Sequence, residues 1–202
     1  MIWGMVIDLK RCVGCQACML ACKEEYGLPR GAFWTKTLVE EVGTYPNVTR
    51  VFTPQLCNHC DDAPCEKVCP TGATYTEEET GVVLVDYDKC VGCRACVVAC
   101  PYNNRYYIPK GGCTPHYPAG LTPFEEQSYK HFQEGVVTKC VGCIERVKQG
   151  LNPACVDACP TDARIFGDLS DPYSEIRKII RSRQGVQPSP EKGTDPKVYY
   201  VS

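Results

Sequence analysis

Short apolar runs separated by polar turns make up most of the chain, and the longest runs have about six residues, too few to cross a membrane. Residues 1 to 9 alternate loosely between apolar and polar positions, which predicts a strand. A second strand is predicted at residues 163 to 167, followed by a helix from 172 to about 183 with Asp171 as its N-terminal cap. Together these segments predict a mixed α+β fold of small elements.

Two longer regions have weaker patterns. Residues 33 to 52 predict two short strands joined through residues 43 to 47. Residues 102 to 135 have no regular period but carry many aromatic residues among prolines and glycines. A loop of this length is usually functional or disordered. The aromatic content favours a packed or docking surface, and a solvated loop is the alternative.

Cysteine spacing is the most specific feature, because sixteen of the seventeen cysteines fall into four motifs. The motifs are Cys12-x2-Cys15-x2-Cys18-x3-Cys22, Cys57-x2-Cys60-x4-Cys65-x3-Cys69, Cys90-x2-Cys93-x2-Cys96-x3-Cys100 and Cys140-x2-Cys143-x11-Cys155-x3-Cys159. These are iron-sulfur spacings, in which three thiolates from one segment bind a 4Fe-4S cluster and the fourth binds a neighbouring cluster. Proline follows the last cysteine of every motif except the first, where Lys23 allows a helix from Gln16 through Glu25.

The linkers indicate which motifs belong together. The shortest linker, from Cys69 to Cys90, contains Thr74-Tyr75, a polar turn and an apolar run, which predicts a β-hairpin. Motif, hairpin and motif in this order resemble a bacterial ferredoxin with two 4Fe-4S clusters. The predicted strands before Cys12 and after Cys159 can pair as an open hairpin, so that the first and fourth motifs form a second unit around the first. The internal repeat instead favours a tandem pairing of first with second and third with fourth.

Nested pairing predicts four ligand sets, each with three cysteines of one motif and the last cysteine of its partner. The sets are Cys12, Cys15, Cys18 and Cys159; Cys140, Cys143, Cys155 and Cys22; Cys57, Cys60, Cys65 and Cys100; and Cys90, Cys93, Cys96 and Cys69. The predicted fold is therefore α+β with two ferredoxin-like units, one nested within the other. The outer unit comprises residues 1–50 and 136–183, the inner unit 51–104, an aromatic insert 105–135 and a C-terminal tail 184–202.

Composition limits the other function classes. A net charge of -2 and a pI near 6.0 provide no basic footprint for nucleic acid. A secreted disulfide framework is a poor explanation for the cysteines, because closely spaced triplets are badly placed to pair and the total is odd. A four-cysteine zinc site remains an alternative for either irregular motif. No signal peptide is visible. Because iron-sulfur clusters are assembled under reducing conditions, we expect the chain to fold in the cytoplasm whatever its final site.

Several residues beside the ligands could act on the clusters. His59 could relay electrons or hydrogen-bond to sulfur, with simple packing as the alternative. Six basic residues would stabilise reduced clusters, although ordinary surface charge explains them equally well: Lys10, Arg11, Lys23, Lys89, Arg94 and Lys139. Cys113 belongs to no motif and is expected to be a spare thiol.

Catalytic motifs are lacking: we find no Gly-rich phosphate loop, nucleophile elbow or acid-base pair, and we predict single-electron transfer without catalysis. The whole chain resembles the four-cluster iron-sulfur subunits of molybdopterin oxidoreductases of the dimethyl sulfoxide, polysulfide and arsenate respiratory reductase type. The resemblance rests on the segments Gly4–Asp8, Cys57–Cys65, Gly150–Cys155 and Gly167–Leu169.

This resemblance implies four 4Fe-4S clusters, nested motif pairing and a large catalytic subunit with a molybdenum or tungsten pterin. It also implies that the clusters link this partner to a quinone-binding membrane subunit, a cytochrome or another carrier, without insertion of this chain in the membrane. The final site is then cytoplasmic or, if an exported partner carries the folded subunit, periplasmic. A free polyferredoxin is the alternative function, and a zinc-binding interaction protein is the more distant one.

Overall fold

The computed structural model of the protein describes all residues from 1 to 202 and consists of short strands and helices. The strands are β1 (Trp3–Asp8), β2 (Thr35–Thr44), β3 (Asn47–Leu56), β4 (Thr74–Thr76), β5 (Val83–Val85), β6 (Tyr106–Tyr107), β7 (Val137–Thr138), β8 (Arg164–Asp168) and β9 (Val198–Val201). The α-helices are α1 (Ala17–Tyr26), α2 (Pro64–Lys67), α3 (Ala95–Ala99), α4 (Pro123–Ser128), α5 (Ile144–Lys148), α6 (Ala154–Asp157) and α7 (Glu175–Ser182). The predicted α+β class is confirmed.

Strand β1 is the centre of the largest sheet, whose order is β8-β1-β9. It is antiparallel to β8, with Met5 opposite Phe166, and parallel to β9, with Met5 opposite Val198. All of its residues are buried, because it has a strand on each edge and packed side chains on each face. The predicted strands near the two ends of the chain are thus confirmed, and they pair. The pattern did not predict that the C-terminal segment adds β9.

Helix α7 covers one face of this sheet. Its isoleucine face was predicted, but its start was wrong: Ser174, not Asp171, caps the helix by accepting a hydrogen bond from the Arg177 backbone N–H at 3.4 Å. Asp171 instead accepts from the Tyr173 N–H at 2.8 Å, in the turn before the helix. Ile176 is fully buried and lies over Gly167, where an added Cβ would be 3.0 Å from its side chain. Glycine therefore lets the helix approach the sheet closely.

Two hairpins differ in how well they were predicted. Strands β4 and β5 pair as expected between the second and third motifs. Strands β2 and β3 are ten residues each, longer than the short strands predicted, and they turn at Tyr45-Pro46. Only the base of this hairpin is buried, at Thr35, Thr37 and Leu56. Its continuous ladder carries the exposed tip away from the core.

The predicted aromatic loop is more regular than its sequence suggested. Helix α4 lies within it and begins with a capping box, in which Thr122 and Glu125 each accept from the other's backbone N–H. Tyr129 and Phe132 are buried in the main core, whereas Phe124 is exposed. The segment is therefore packed over part of its length, as the favoured interpretation expected, and it contains a helix that its pattern did not predict.

None of the helices is both long enough and apolar enough to cross a membrane.

Replacing Ile176 with alanine should lower the free energy of unfolding by about 2 to 5 kcal/mol, because the lost side chain leaves a cavity between α7 and the sheet. Guanidinium unfolding of anaerobically prepared protein, followed by far-UV circular dichroism, measures the change. Ile179→Ala is the matched control, at a half-buried position of the same helix, and should have less than half the effect. Equal effects would contradict the packing of α7.

Candidate iron-sulfur centres

The first two cysteines of each motif are brought together by a left-handed backbone residue between them. Gly14, Gly92 and Gly142 have φ of 67°, 66° and 63°, and His59 takes the same place in the second motif with φ 44°. Glycine adopts this conformation without strain, whereas histidine does so at a cost. The shared turn explains why four segments of different sequence can present their thiols in the same way.

Three cavities are lined by cysteines of two different motifs. One contains Cys57, Cys60, Cys65 and Cys100; a second contains Cys69, Cys90, Cys93 and Cys96; a third contains Cys22, Cys140, Cys143 and Cys155. No group of three or more His, Cys, Asp or Glu side chains converges closely enough to hold a single metal ion. In each cavity the thiols of four cysteines from two motifs line one shared space.

The remaining motif cysteines lie near one another at the start of α1. Burial raises the pKa of the Cys12 thiol, and the nearby charges of Cys18 and Cys159 raise it further. Cys15, in contrast, is exposed. The last cysteine of the fourth motif is therefore beside the first motif.

The last cysteines of the two irregular motifs receive matching hydrogen bonds. The Thr74 N–H donates to the Cys69 sulfur at 3.4 Å, and the Ala163 N–H donates to the Cys159 sulfur at 3.3 Å. Burial opposes ionisation of Cys69, but these backbone donors outweigh it and lower the pKa of its thiol to about 7. Such donors stabilise a metal-binding thiolate.

Two buried thiols have a cation beside them instead. Burial raises the pKa of Cys65, and it raises the pKa of Cys155 to about 11. Arg164 is buried and donates to the Cys155 sulfur at 3.6 Å, and Arg105 is buried and donates to the Cys65 sulfur at 3.0 Å. Positive charge beside sulfur favours the thiolate form that binds iron.

Neither arginine was predicted from the sequence to act on a cluster. Aligning the irregular motifs could have drawn attention to Arg164, because Thr161-Asp162-Ala163-Arg164 continues the fourth motif where Thr71-Gly72-Ala73-Thr74 continues the second. Arg105 lies outside every motif, and no local pattern distinguishes it.

The basic residues that were singled out have different environments. Lys139 is 2% exposed and donates from Nζ to the Cys140 carbonyl at 2.6 Å, so the surface-charge alternative was wrong for this residue. Lys23 is half-buried and donates to three backbone carbonyls that follow α1. The other four are exposed: Lys10, Arg11, Lys89 and Arg94.

His59 is fully buried beside Trp3, with their ring centroids 4.8 Å apart. Its Nδ1 accepts a hydrogen bond from the Val83 N–H at 3.2 Å. Burial, together with the charges of Lys139 and Lys197, holds the pKa of the imidazole well below its usual value, so the ring is neutral. These contacts pack the ring in the core and satisfy Nδ1, while Nε2 remains as a buried donor without a protein partner.

Unpartnered buried donors fit the presence of a sulfur-rich group. Nε of Arg105, Nε2 of His59 and the Tyr106 hydroxyl have no hydrogen-bond partner among the protein atoms. Arg105 lines the cavity that contains Cys57 and Cys100. Burial and the charges of Cys100, Cys22 and Cys140 raise the pKa of Tyr106 to about 12, which places its hydroxyl near two ligand sets. Cluster sulfides accept hydrogen bonds of this kind.

Comparison with known proteins agrees with this chemistry. A 4Fe-4S dicluster domain matches residues 48–123 and 113–169, and a 4Fe-4S binding domain matches residues 3–24. The arsenate respiratory reductase iron-sulfur subunit ArrB of Shewanella sp. is 41% identical, over 98% of this chain and 95% of the relative. The protein belongs to the family of iron-sulfur subunits of molybdopterin respiratory reductases. Two further relatives are a subunit of selenate reductase from Mesobacillus selenatarsenatis, 42% identical over 99% of this chain and 72% of the relative, and a subunit of polysulfide reductase from Wolinella succinogenes, 38% identical over 98% and 93%.

As an iron-sulfur subunit, the protein carries 4Fe-4S clusters and transfers electrons within a complex in which a separate subunit performs catalysis. Its motif cysteines are sufficient for four clusters.

Iron and acid-labile sulfide analysis of anaerobically purified subunit should give about sixteen of each per chain, because four complete cysteine sets hold four irons and four sulfides each. Cys113→Ser is the control. This half-buried thiol belongs to no motif, so the variant should retain the same content and spectra. About twelve irons or fewer, with zinc making up the difference, would contradict four clusters.

Proposed function

We propose that the four clusters lie in two nested ferredoxin-like units and form one electron path through the subunit. The ligand sets are those of the nested pairing: Cys12, Cys15, Cys18 and Cys159; Cys140, Cys143, Cys155 and Cys22; Cys57, Cys60, Cys65 and Cys100; and Cys90, Cys93, Cys96 and Cys69. The principal support is that three cavities each combine three cysteines of one motif with the last cysteine of that motif's nested partner. The tandem scheme requires different combinations.

Contacts between elements support the same units. Helix α1, which carries Cys18 and Cys22 of the first motif, packs on α6 of the fourth motif, and β1 pairs with β8. Helix α2 of the second motif packs on α3 of the third, and β4 pairs with β5. On this basis we assign residues 1–50 and 136–183 to the outer unit and 51–104 to the inner unit. Residues 105–135 are then an insert, and 184–202 a C-terminal extension.

The order of the clusters follows from where the two units meet. Cys57 packs against the main core, which contains Cys22, Cys140 and Cys155. Burial and then the charge of Cys57 raise the pKa of Cys140, as expected for neighbouring thiols. The Cys57 and Cys140 sets are therefore central, and the Cys90 and Cys12 sets are at the ends of the path. A 4Fe-4S cluster held by each set would supply one-electron transfer along this path.

The two ends of the path have equivalent exposed surfaces. At the first motif Val13 is 56% and Leu20 is 60% exposed, and at the third motif Val91 is 66% and Val98 is 87% exposed. Each end also has one exposed ligand, Cys15 or Cys93. Apolar surface beside an exposed ligand suits a partner that must come within electron-transfer distance.

We therefore assign one end to the molybdenum or tungsten pterin subunit and the other to a quinone-binding membrane subunit, a cytochrome or another carrier. The relatives' names describe reductases of arsenate, selenate and polysulfide, so the catalytic partner is a reductase of an oxidised inorganic substrate or a related oxidoreductase. The subunit reaches its final site, cytoplasmic or periplasmic, together with that partner. A free polyferredoxin would not need two equivalent apolar ends.

Double substitutions distinguish the nested from the tandem pairing. Under the nested scheme, Cys22→Ser with Cys140→Ser damages one cluster, whereas Cys22→Ser with Cys57→Ser damages two, because Cys22 completes the Cys140 set. Iron content and the electron paramagnetic resonance signal of three-iron centres measure the number of damaged clusters.

The tandem scheme predicts the opposite ranking, because Cys22 would then complete the Cys57 set. If Cys22→Ser with Cys57→Ser perturbs a single centre, the nested architecture is wrong. The single substitutions Cys22→Ser, Cys57→Ser and Cys140→Ser calibrate the loss of one ligand.

A negative charge introduced at either exposed end of the proposed electron path should weaken association with a partner subunit. Leu20→Asp and Val98→Asp should each reduce, at least about tenfold, the association with one partner subunit, because a carboxylate opposite an apolar surface is left desolvated and unpaired. Pull-down from cells that co-express the complex measures both partners.

Tyr173→Asp is the control, since Tyr173 is 79% exposed and lies outside the motifs. Cluster spectra should be unchanged in all three variants. Full association of Leu20→Asp and Val98→Asp with both partners would contradict the assignment of the ends.

A further inference from the structure

Arg105 and Arg164 are buried cations without carboxylate partners. They are 5% and 3% exposed, and neither takes part in any of the ion pairs of the structure. A buried charge is strongly unfavourable unless an opposite charge is nearby. The groups near these guanidiniums that can carry negative charge are cysteine sulfurs.

Both arginines make the same pair of contacts. Arg105 donates from Nη2 to the Cys65 sulfur at 3.0 Å and from Nη1 to the Thr74 hydroxyl at 3.0 Å. Arg164 donates from Nη1 to the Cys155 sulfur at 3.6 Å and from Nη2 to the Thr35 hydroxyl at 2.8 Å. In each case a threonine hydroxyl fixes one side of the guanidinium while the other side faces a thiol.

The two thiols are equivalent, but the two arginines are not. Cys65 and Cys155 are each the third cysteine of an irregular motif. Arg164 follows the last cysteine of its motif at the position that Thr74 occupies after the second motif. Arg105 comes from the segment before β6 and contacts Thr74 itself. A guanidinium therefore occupies the same place in both units although different parts of the chain supply it.

Each arginine also acts on a second ligand set. Thr74, whose hydroxyl Arg105 contacts, lines the cavity of Cys90, Cys93 and Cys96 and donates from its N–H to the Cys69 sulfur. Arg164 contacts the Thr35 hydroxyl on β2, and two residues along the same strand the Thr37 hydroxyl is 4.0 Å from the Cys18 sulfur. Cys65 and Cys96 belong to different clusters, as do Cys155 and Cys18. Each guanidinium is thus placed to act on two clusters.

We propose that Arg105 and Arg164 each hold a fixed positive charge beside two clusters. This charge raises the reduction potentials of both clusters. A cluster with four thiolates is anionic and gains a further negative charge on reduction, so a fixed buried cation stabilises the reduced form more than the oxidised form. The proposal rests on the four-cluster electron-transfer function, but not on which distant cysteine completes each set.

Reduction potentials of the clusters, measured on the purified complex, test the proposal directly. In Arg105→Gln, the equilibrium constant for reduction of the Cys65 and Cys96 clusters should fall at least tenfold, which is a decrease of about 59 mV for a one-electron couple. In Arg164→Gln the same decrease should appear in the Cys155 and Cys18 clusters instead. Redox titration followed by low-temperature electron paramagnetic resonance resolves the centres, and the unaffected pair in each variant is an internal reference.

Three variants separate charge from structure. Arg105→Lys keeps the positive charge, so the reduction potentials of the Cys65 and Cys96 clusters should stay close to those of the unmodified protein. Arg94→Gln removes an exposed cation next to the ligand Cys93, and solvent screening should leave the potentials within a twofold change in that constant. The double variant Arg105→Gln with Thr74→Arg places a guanidinium at the position that Arg164 has in the other unit, and should restore the potentials lost in Arg105→Gln.

Iron content is measured on every sample, so that failure of the four-cluster function is distinguished from failure of this proposal. Unchanged potentials in fully loaded Arg105→Gln and Arg164→Gln would overturn it. Loss of clusters from both glutamine variants, with retention in Arg105→Lys, would assign the arginines to cluster assembly and would also overturn it.

Discussion

Sixteen motif cysteines lie within a chain of 202 residues, and their negative charge when they bind iron must be compensated inside the protein. Transfer of one unpaired charge into a protein interior costs several kcal/mol even after relaxation. The structure meets this constraint with backbone donors at Cys69 and Cys159, and with buried guanidiniums at Cys65 and Cys155. Two of the buried cations of the core, Arg105 and Arg164, are therefore explained by the thiols they face.

Backbone conformation imposes a second constraint at the same places. A left-handed residue separates the first two cysteines of every motif, and space around it is limited: a Cβ on Gly92 would lie 2.0 Å from the Gly135 carbonyl oxygen. His59 takes this conformation in the second motif, where its buried ring packs on Trp3 and accepts from Val83. Packing at this position offsets the backbone strain that glycine avoids elsewhere.

Burial along the proposed path matches the work of an electron-transfer subunit. Six of the eight cysteines in the two sets that we propose as central are buried, which suits clusters that would exchange electrons only with other clusters of the chain. The sets that we propose as terminal have one exposed ligand each, beside apolar side chains that a partner can cover. Burial raises the pKa of Cys65 and that of Cys140, and the charge of the buried Lys139 opposes both shifts. This cation therefore acts on both of the proposed central sets.

The sequence by itself determined the chemistry and most of the local structure, including the cysteine motifs, the β4–β5 hairpin, the helix that contains Cys22 and the strands near both ends. These features depend on residues close together in the chain, whose spacing fixes which thiols can reach one cluster and which segments can pair. Tertiary structure alone decided the third strand of the main sheet, helix α4 and the positions of the two arginines. Arg105 is 40 residues from Cys65 and Lys197 is 138 from His59 in the numbering, yet each pair is joined by a hydrogen bond in the core. No local pattern specifies such contacts, because they depend on the path of the whole chain and on the buried charge that this path brings together.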